Sequence, residues 1–518
     1  SQEYTWLTKY CGANLLVIGK CPGNLITKHV IKGKSPTFDL FLSVDAQASD
    51  FFKPLMGDYA PSRLNREAFV KDITKYDTEI PIGNLSITDF ENAVEDTYYI
   101  LKDSGIEQCN YITDAIPIFD SMNMKAATGA LYGGKKKDYF ENYTDDMKQN
   151  ILKESYIRLR EGKMGIWNGS LKAELRSKEK VEANKTRVFT AAPLDTLLAG
   201  KGCVDDFNNQ FYAAHLKGPW TVGITKFFGR WNDFLSELPP GWDYFDADGS
   251  RFDSSLTPFL LNAVLNIRKK FMINWAFGQR CLGNLYTEII YTPIATPDGS
   301  VVKKMRGNNS GQPSTVVDNT IMVIIAMQYA ISKAEFPAGR LRDQIRYFAN
   351  GDDLVVAVEP SLSDKISSFS ASFAELGLSY DFSNKVNDRS ELQFMSHTGK
   401  LIDGMYIPML ERERICAILE WSRSDEPQFQ LDAISAAMIE AWGDDELLYQ
   451  IRRYYSWLLE QEPYKSIAEL GHAPYLAEAA LKALYTGKDP DAELIAIYER
   501  AMLNTPPTED RPTKVVHE

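Results

Sequence analysis

The chain is short of the residues on which several chemistries depend. Six cysteines, at 11, 21, 109, 203, 281 and 416, are scattered among 518 residues without a close pair, so neither a disulfide framework nor a cysteine-rich zinc site is expected. The five histidines, at 29, 215, 397, 472 and 517, are scattered without a cluster, and no serine occupies a Gly-x-Ser-x-Gly elbow, which weakens any histidine-dependent hydrolase. Long apolar runs are missing too. The longest stretch, around Ile321 to Ala326, is far too short to span a bilayer, and Ser1-Gln2-Glu3 does not open a signal peptide. Membrane association is therefore expected to need a partner. Positive charge is in deficit: 57 Lys and Arg against 70 Asp and Glu give a net charge of −13. Long-range repulsion then opposes nucleic-acid binding wherever no local basic surface overrides it. No internal repeat is evident.

What is present begins with size and apolar content. At 518 residues and 44% hydrophobic composition the chain can bury a large core and exceeds one compact unit. Within it, Asn350-Gly351-Asp352-Asp353 separates two apolar runs, Ile345 to Ala349 and Leu354 to Val358. Asn-Gly favours the positive-φ turns that join paired strands, so the segment predicts a tight hairpin with two carboxylates at its tip. Adjacent carboxylates repel unless a cation neutralises them, and hard oxygen donors suit Mg²⁺ or Mn²⁺. A solvated turn fits the tripeptide equally well, and a second copy at Gly443-Asp444-Asp445 shows how readily the string arises. That copy precedes Glu446-Leu447-Leu448-Tyr449, where acids are expected to cap a helix.

Three further clusters decide between the readings. Asp248 and Asp253 lie five residues apart, after Trp242-Asp243-Tyr244-Phe245 and before the helix start Thr257-Pro258; Asp248 is the candidate third metal ligand. Paired metals at such a site would lower the pKa of a primer 3′-hydroxyl and stabilise departing pyrophosphate. The small-residue loop Gly307-Asn-Asn-Ser310-Gly311-Gln-Pro-Ser-Thr315 feeds an apolar helix, on which Thr315 and Asn319 share a face and could address one sugar. The third cluster is cationic, Lys172, Arg176, Lys178, Lys180, Lys185 and Arg187. With Glu182-Ala183-Asn184 as a turn, two strands would place Lys178 with Lys180, and Lys185 with Arg187, toward one channel suited to a triphosphate. A surface loop, helix capping with packing, and a solvated charged face are the plainer alternatives for the three clusters in turn.

The order of basic segment, Asp-x4-Asp, Ser-Gly-x3-Thr-x3-Asn and Gly-Asp-Asp resembles the RNA-dependent RNA polymerases of positive-strand RNA viruses. Leu376 to Lys385 and Leu392 to Gly399 are similar to the segments that follow in that family, the second being its primer grip. Residues 307 to 315 and Phe189-Thr-Ala-Ala-Pro-Leu-Asp195 resemble the potyvirus branch, the nuclear-inclusion polymerases. Asn350, where many relatives carry tyrosine, fits that branch.

The resemblance implies an α+β right hand with fingers, palm and helical thumb. Its expected division is 1–203 N-terminal extension and fingers, 204–280 palm, 281–305 a fingers insertion, 306–400 palm again, and 401–518 thumb and tail. It further implies Asp248 and Asp352 as chief metal ligands with Asp353 supporting, and Asp253, Ser310, Thr315 and Asn319 reading the ribose beside Gly311. Lys180, Lys185 and Arg187 would grip the triphosphate, and Lys385 would donate a proton to pyrophosphate. Implied partners are viral RNA template and product, nucleoside triphosphates, the genome-linked viral protein as primer, viral protease and helicase products, and host factors. Implied locations are membrane-associated replication complexes in the host cytoplasm and the host nucleus, with Lys135-Lys136-Lys137 a weak import candidate.

Both ends extend the expectation. Val515-Val-His-Glu518 is similar to junctions cut by potyvirus proteases, and Thr505 to Thr513 is a Pro-rich polar tail. A polyprotein product is expected. Two rivals stay in view: a scaffold protein, which explains the cations but not the acids, and a reverse transcriptase, which Asp253 disfavours where an aromatic would exclude a 2′-hydroxyl.

Overall fold

The computed structural model describes residues 6–22, 29–79, 83–122, 135–272, 276–488 and 491–502; the Pro-rich tail and both terminal motifs lie outside them. The architecture is α+β, built around two sheets. A four-stranded antiparallel sheet has the order Ile345–Asn350, Asp353–Val358, Asp243–Ala247, Lys385–Val386. Its second strand, Asp-Leu-Val-Val-Ala-Val, is β-branched and apolar because helices cover one face and an aromatic cluster of Trp231, Phe234, Phe348 and Phe394 the other. A five-stranded sheet has the order Leu15–Lys20, Ser300–Lys304, Pro293–Ala295, Trp167–Leu171, Val188–Ala191, so strands far apart in sequence are neighbours.

The helix Thr315–Ala334 lies under the four-stranded sheet. Apolar residues surround its axis because it is buried on every side, against Ile87–Asp103, Pro258–Phe271 and Phe369–Glu375. By length and composition it could cross a bilayer, but 89% of its apolar window is buried inside the protein. The short run at 321 to 326 thus belongs to a 20-residue core helix. Pro258–Phe271 starts as its sequence predicts, with the Thr257 hydroxyl accepting from Leu260 N–H.

After residue 426 the chain is helical: Pro427–Ala441, Asp445–Leu458, Tyr464–Glu469, Glu478–Thr486 and Ala492–Met502. Gly443, Pro463, Gly471, Pro474 and Gly487, residues that interrupt helices, fall between them. Asp444 caps the second, accepting from Leu447 N–H at 3.2 Å and pairing with Arg412, so the second Gly-Asp-Asp is structural. These helices share a core with the N-terminal helices Pro36–Val44 and Ala46–Phe52, where Phe38 and Phe41 pack on Tyr454 and Phe41 also on Trp457.

Two features differ from expectation. The boundaries at 203/204, 280/281 and 400/401 fall inside Leu194–Ala213, Ala276–Ile290 and the strand His397–Ile402. One apolar core runs from Ala93 to Phe382 across three of the four boundaries. Second, Lys178–Glu182 is a short helix, not a strand. Its Lys-Glu-Lys-Val-Glu composition favours helix, and Lys178 meets Glu182 one turn on at 3.9 Å. Lys178 and Lys180 therefore point to different sides. Of the three lysines at 135 to 137, Lys136 is buried, so they form no continuous basic surface. All six cysteines are free thiols.

Candidate active site

The acidic hairpin is shifted one residue from the expected turn. Asn350 pairs with Asp353 in the ladder, so Gly351 and Asp352 form the two-residue loop. Gly351 takes φ +58° at the first central position, a conformation glycine adopts without strain. Its N–H donates to the Thr320 hydroxyl at 2.8 Å, and the Asn350 amide to Thr221 at 3.1 Å. The tip is thereby pinned to the core helix.

Asp353 pairs in the ladder one step from Leu354, which faces Ala247, and this brings the exposed Asp248 beside the hairpin. Burial, then the charges of Asp353, Asp253 and Asp248, pushes Asp352 up to about 7. Burial also pushes Asp353 up to about 6, with Asp248 and Asp246 adding and the Met395 N–H opposing. Five acids thus share one field. Among the described residues no three acidic or histidine side chains close around a single point. The donor chemistry nevertheless fits a hard divalent cation: three carboxylate donors, two of them with raised pKa values that nearby positive charge would lower.

Asp253 accepts from the Asn319 amide at 3.0 Å, and Asn319 accepts from Asn308 at 2.8 Å. Burial raises Asp253 above the ordinary carboxylate range, against Asn319 and Arg187. Thr315 does not join them: its hydroxyl turns back to the loop carbonyls of Asn309, Ser310 and Gln312 at 2.8, 3.2 and 3.0 Å. As the first residue of its helix it closes the loop on itself. Ser310 accepts from Thr190 N–H at 3.3 Å, and Gly311 N–H donates to Thr190 O at 3.0 Å. A Cβ on Gly311 would stand 2.3 Å from that oxygen, so the position is reserved for glycine by close backbone approach. Beneath the loop, Asp318 holds Arg268, Tyr286, Gln312 and Ser314 in one buried network.

The cations gather around an acid that the sequence reading passed over. Glu174 receives Arg187 through two bonds, 2.7 and 2.5 Å, and lies 3.8 Å from both Lys172 and Arg176. Burial raises its pKa, but Arg187, Lys172 and Arg176 together hold it below the ordinary value. Arg187 reaches electrostatically to Asp253, and Lys180 to Asp248. Burial and the nearby Arg176 and Arg187 lower the Lys180 pKa. Lys185 is exposed at the end of the turn that follows the short helix, its N–H donating to Lys180 O at 2.9 Å. Lys178 pairs with Glu182.

Lys385 also lies elsewhere. It pairs with Asp243, 3.1 Å away, at the end of the strand opposite Asp248. Two residues missed in the sequence do reach the hairpin. Tyr380 donates to the Asp352 carbonyl at 2.6 Å, its pKa raised far above normal by burial and then by four acids. Met395 N–H donates to Asp353 Oδ2 at 3.2 Å. Neither carried a local signal, since both contacts depend on strands returning from later in the chain.

Comparison with known proteins agrees with this geometry. A family model described as viral RNA-dependent RNA polymerase matches residues 41–459. The chain is 59% identical over 486 residues, 94% of its length, to a part of the genome polyprotein of pea seed-borne mosaic virus (strain DPD1). It is 55% identical to part of the turnip mosaic virus (strain Japanese) polyprotein over 503 residues, 97% of the chain. To that of plum pox potyvirus (isolate NAT) it is 55% identical over 518 residues, 100% of the chain. The chain spans 15%, 16% and 17% of those polyproteins respectively. A family match running through the four-stranded sheet and the acidic hairpin leaves one conclusion: the chain belongs to the viral RNA-dependent RNA polymerases, right-hand in architecture and potyviral in kind.

Proposed function

We propose that the chain extends an RNA or protein-linked primer on a viral RNA template, using ribonucleoside triphosphates and Mg²⁺. The observation that carries this reading is the meeting of Asp248, Asp352 and Asp353 in one field with the Asp253–Asn319 pair and the Arg187 and Lys180 cations. In the reaction the primer 3′-oxygen forms a bond to the α-phosphorus, the bond to pyrophosphate breaks, and the hydroxyl proton leaves. Asp248, Asp352 and Asp353 would hold the metal. Bound there, Mg²⁺ supplies charge that favours the 3′-alkoxide and the departing pyrophosphate.

The remaining steps belong to side chains. Arg187, Lys180 and Lys185 draw in the triphosphate, with Glu174 setting the spread of the guanidinium groups. Asp253 and Asn319 present an acceptor and a donor to the ribose hydroxyls, and Ser310 borders them on its loop. We assign the four-stranded sheet and Thr315–Ala334 to the palm, the five-stranded sheet to the fingers and the helices after residue 426 to the thumb. A genome-linked viral protein as primer, and protease and helicase products as neighbours, follow from the same resemblance.

Primer extension on defined RNA, with Mg²⁺ supplied or omitted, tests the reading. Extension is expected only with the metal and not in Asp352→Ala. A folded Asp352→Ala protein extending RNA at the wild-type rate would overturn the assignment. Comparing ribo- with deoxyribonucleotides separates the reverse-transcriptase rival: Asp253→Ala is expected to erode preference for ribose, and an unchanged preference removes Asp253 from sugar recognition.

A further inference from the structure

Four side chains that the proposed reaction does not use form a buried cluster where three parts of the chain meet. Lys226 sits just before Phe228 and Gly229, whose N–H groups donate to Leu484 and Tyr485 carbonyls at 2.9 and 2.6 Å and fasten that segment to the C-terminal helices. The Lys226 ammonium donates to Glu440 Oε1 at 2.5 Å and faces Nε2 of His397 at 3.3 Å. Glu440, 2% exposed, comes from Pro427–Ala441, and His397 opens the strand His397–Ile402. Tyr498 of Ala492–Met502 hydrogen-bonds the same carboxylate.

The other edge of the imidazole faces the acids. Nδ1 lies 2.7 Å from the Met395 carbonyl. A carbonyl oxygen only accepts, so Nδ1 carries a proton, while Nε2 faces both Lys226 and, at 3.8 Å, Glu440 Oε2. The N–H of the same Met395 donates to Asp353 Oδ2. Met395 and Ser396 both hold positive φ, +50° and +68°, a conformation that non-glycine residues keep only where their surroundings enforce it. The ring packs on Trp231, with centroids 5.7 Å apart. A continuous path therefore runs from the C-terminal helices through Glu440, Lys226, His397 and Met395 to Asp353.

We propose that His397 is a positioning residue: backed by Lys226 and Glu440, it holds the Met395–Ser396 turn so that the Met395 amide fixes the rotamer of Asp353. The inference rests on the polymerase reading and deepens it, because it makes correct seating of the C-terminal helices a condition for placing a metal-binding carboxylate.

Single-nucleotide addition to a preformed RNA primer–template, followed against Mg²⁺ concentration with the full chain, tests it. His397→Phe keeps a ring on Trp231 and loses both nitrogens; Lys226→Met/Glu440→Gln alters only the distant side of the path. Both are expected to lower the rate and raise the half-saturating Mg²⁺ concentration by about tenfold, the scale for partners that orient metal ligands. RNA affinity, by fluorescence anisotropy, is expected to hold within about twofold, and the triple variant to be no worse than His397→Phe, as for residues acting in series. His397→Asn, whose amide can still donate to the Met395 carbonyl, is expected to recover part of the loss, and it decides the matter alone should the Glu440 variant not fold. Wild-type metal dependence in a folded His397→Phe protein overturns the proposal, as does a loss confined to RNA affinity. A wild-type protein that adds no nucleotide with Mg²⁺ or Mn²⁺ overturns the polymerase reading instead.

Discussion

Carboxylates that share a half-buried field hold protons until a cation replaces them. Asp352 and Asp353 are raised to about 7 and about 6, so each binds a proton more tightly folded than unfolded. Their contribution to stability is then fully present below about pH 4 and is lost as pH climbs through about 6 and 7. Without divalent metal the thermal midpoint is expected to fall between about pH 5 and pH 8, and added MgCl₂ to raise it more at the higher pH. Asp352→Asn should flatten both effects in calorimetry. Gly351 makes a different prediction: a Cβ there meets open space, so only its φ of +58° opposes substitution. Gly351→Ala should destabilise by about 1–2 kcal/mol in chemical denaturation. At this scale the sequence was readable where chemistry is local. The acids at 248, 253, 352 and 353 announced themselves, whereas Tyr380 and Glu174 gained meaning only from partners brought by folding.

Elements obey propensity until a tertiary partner intervenes. The hairpin, the capped Pro258–Phe271 and the broken helices after residue 426 were legible from period and punctuation. The cationic segment was not: alternation of Lys178 and Lys180 suggested a strand face, but three acids interleave there, and which of them sits among the cations cannot be told locally. Glu174 does. Glu174→Gln should raise the KM for nucleoside triphosphate with RNA affinity unchanged, because Arg187 loses the partner that fixes it. Steady-state kinetics over nucleotide concentration checks this. Under the loop at 307 to 315, Arg268→Met would leave Asp318 charged and buried without its cation. The cost is expected to be about 3–5 kcal/mol, read by urea unfolding.

For the whole molecule, net charge and local charge act in opposition. A chain at −13 that admits RNA must do so through a confined basic surface. If about six phosphates are contacted, RNA affinity should fall about a thousandfold between about 50 and 200 mM salt, measured by anisotropy. The partnership of distant strands was the least legible feature, since sequence position says nothing of which of them share a sheet.

The first sixty residues illustrate this and have a mechanical consequence. Leu15–Lys20 is laced into the sheet with Ser300–Lys304, while Pro36–Val44 and Ala46–Phe52 lie against the C-terminal helices. The described parts of this stretch thus contact both the five-stranded sheet and the C-terminal helices. Severing the stretch between its two anchors, by cleavage at an engineered protease site near Ile31, should let the sheet and the C-terminal helices move apart, and small-angle scattering would register a wider particle whose stiffness had come from its leading strand.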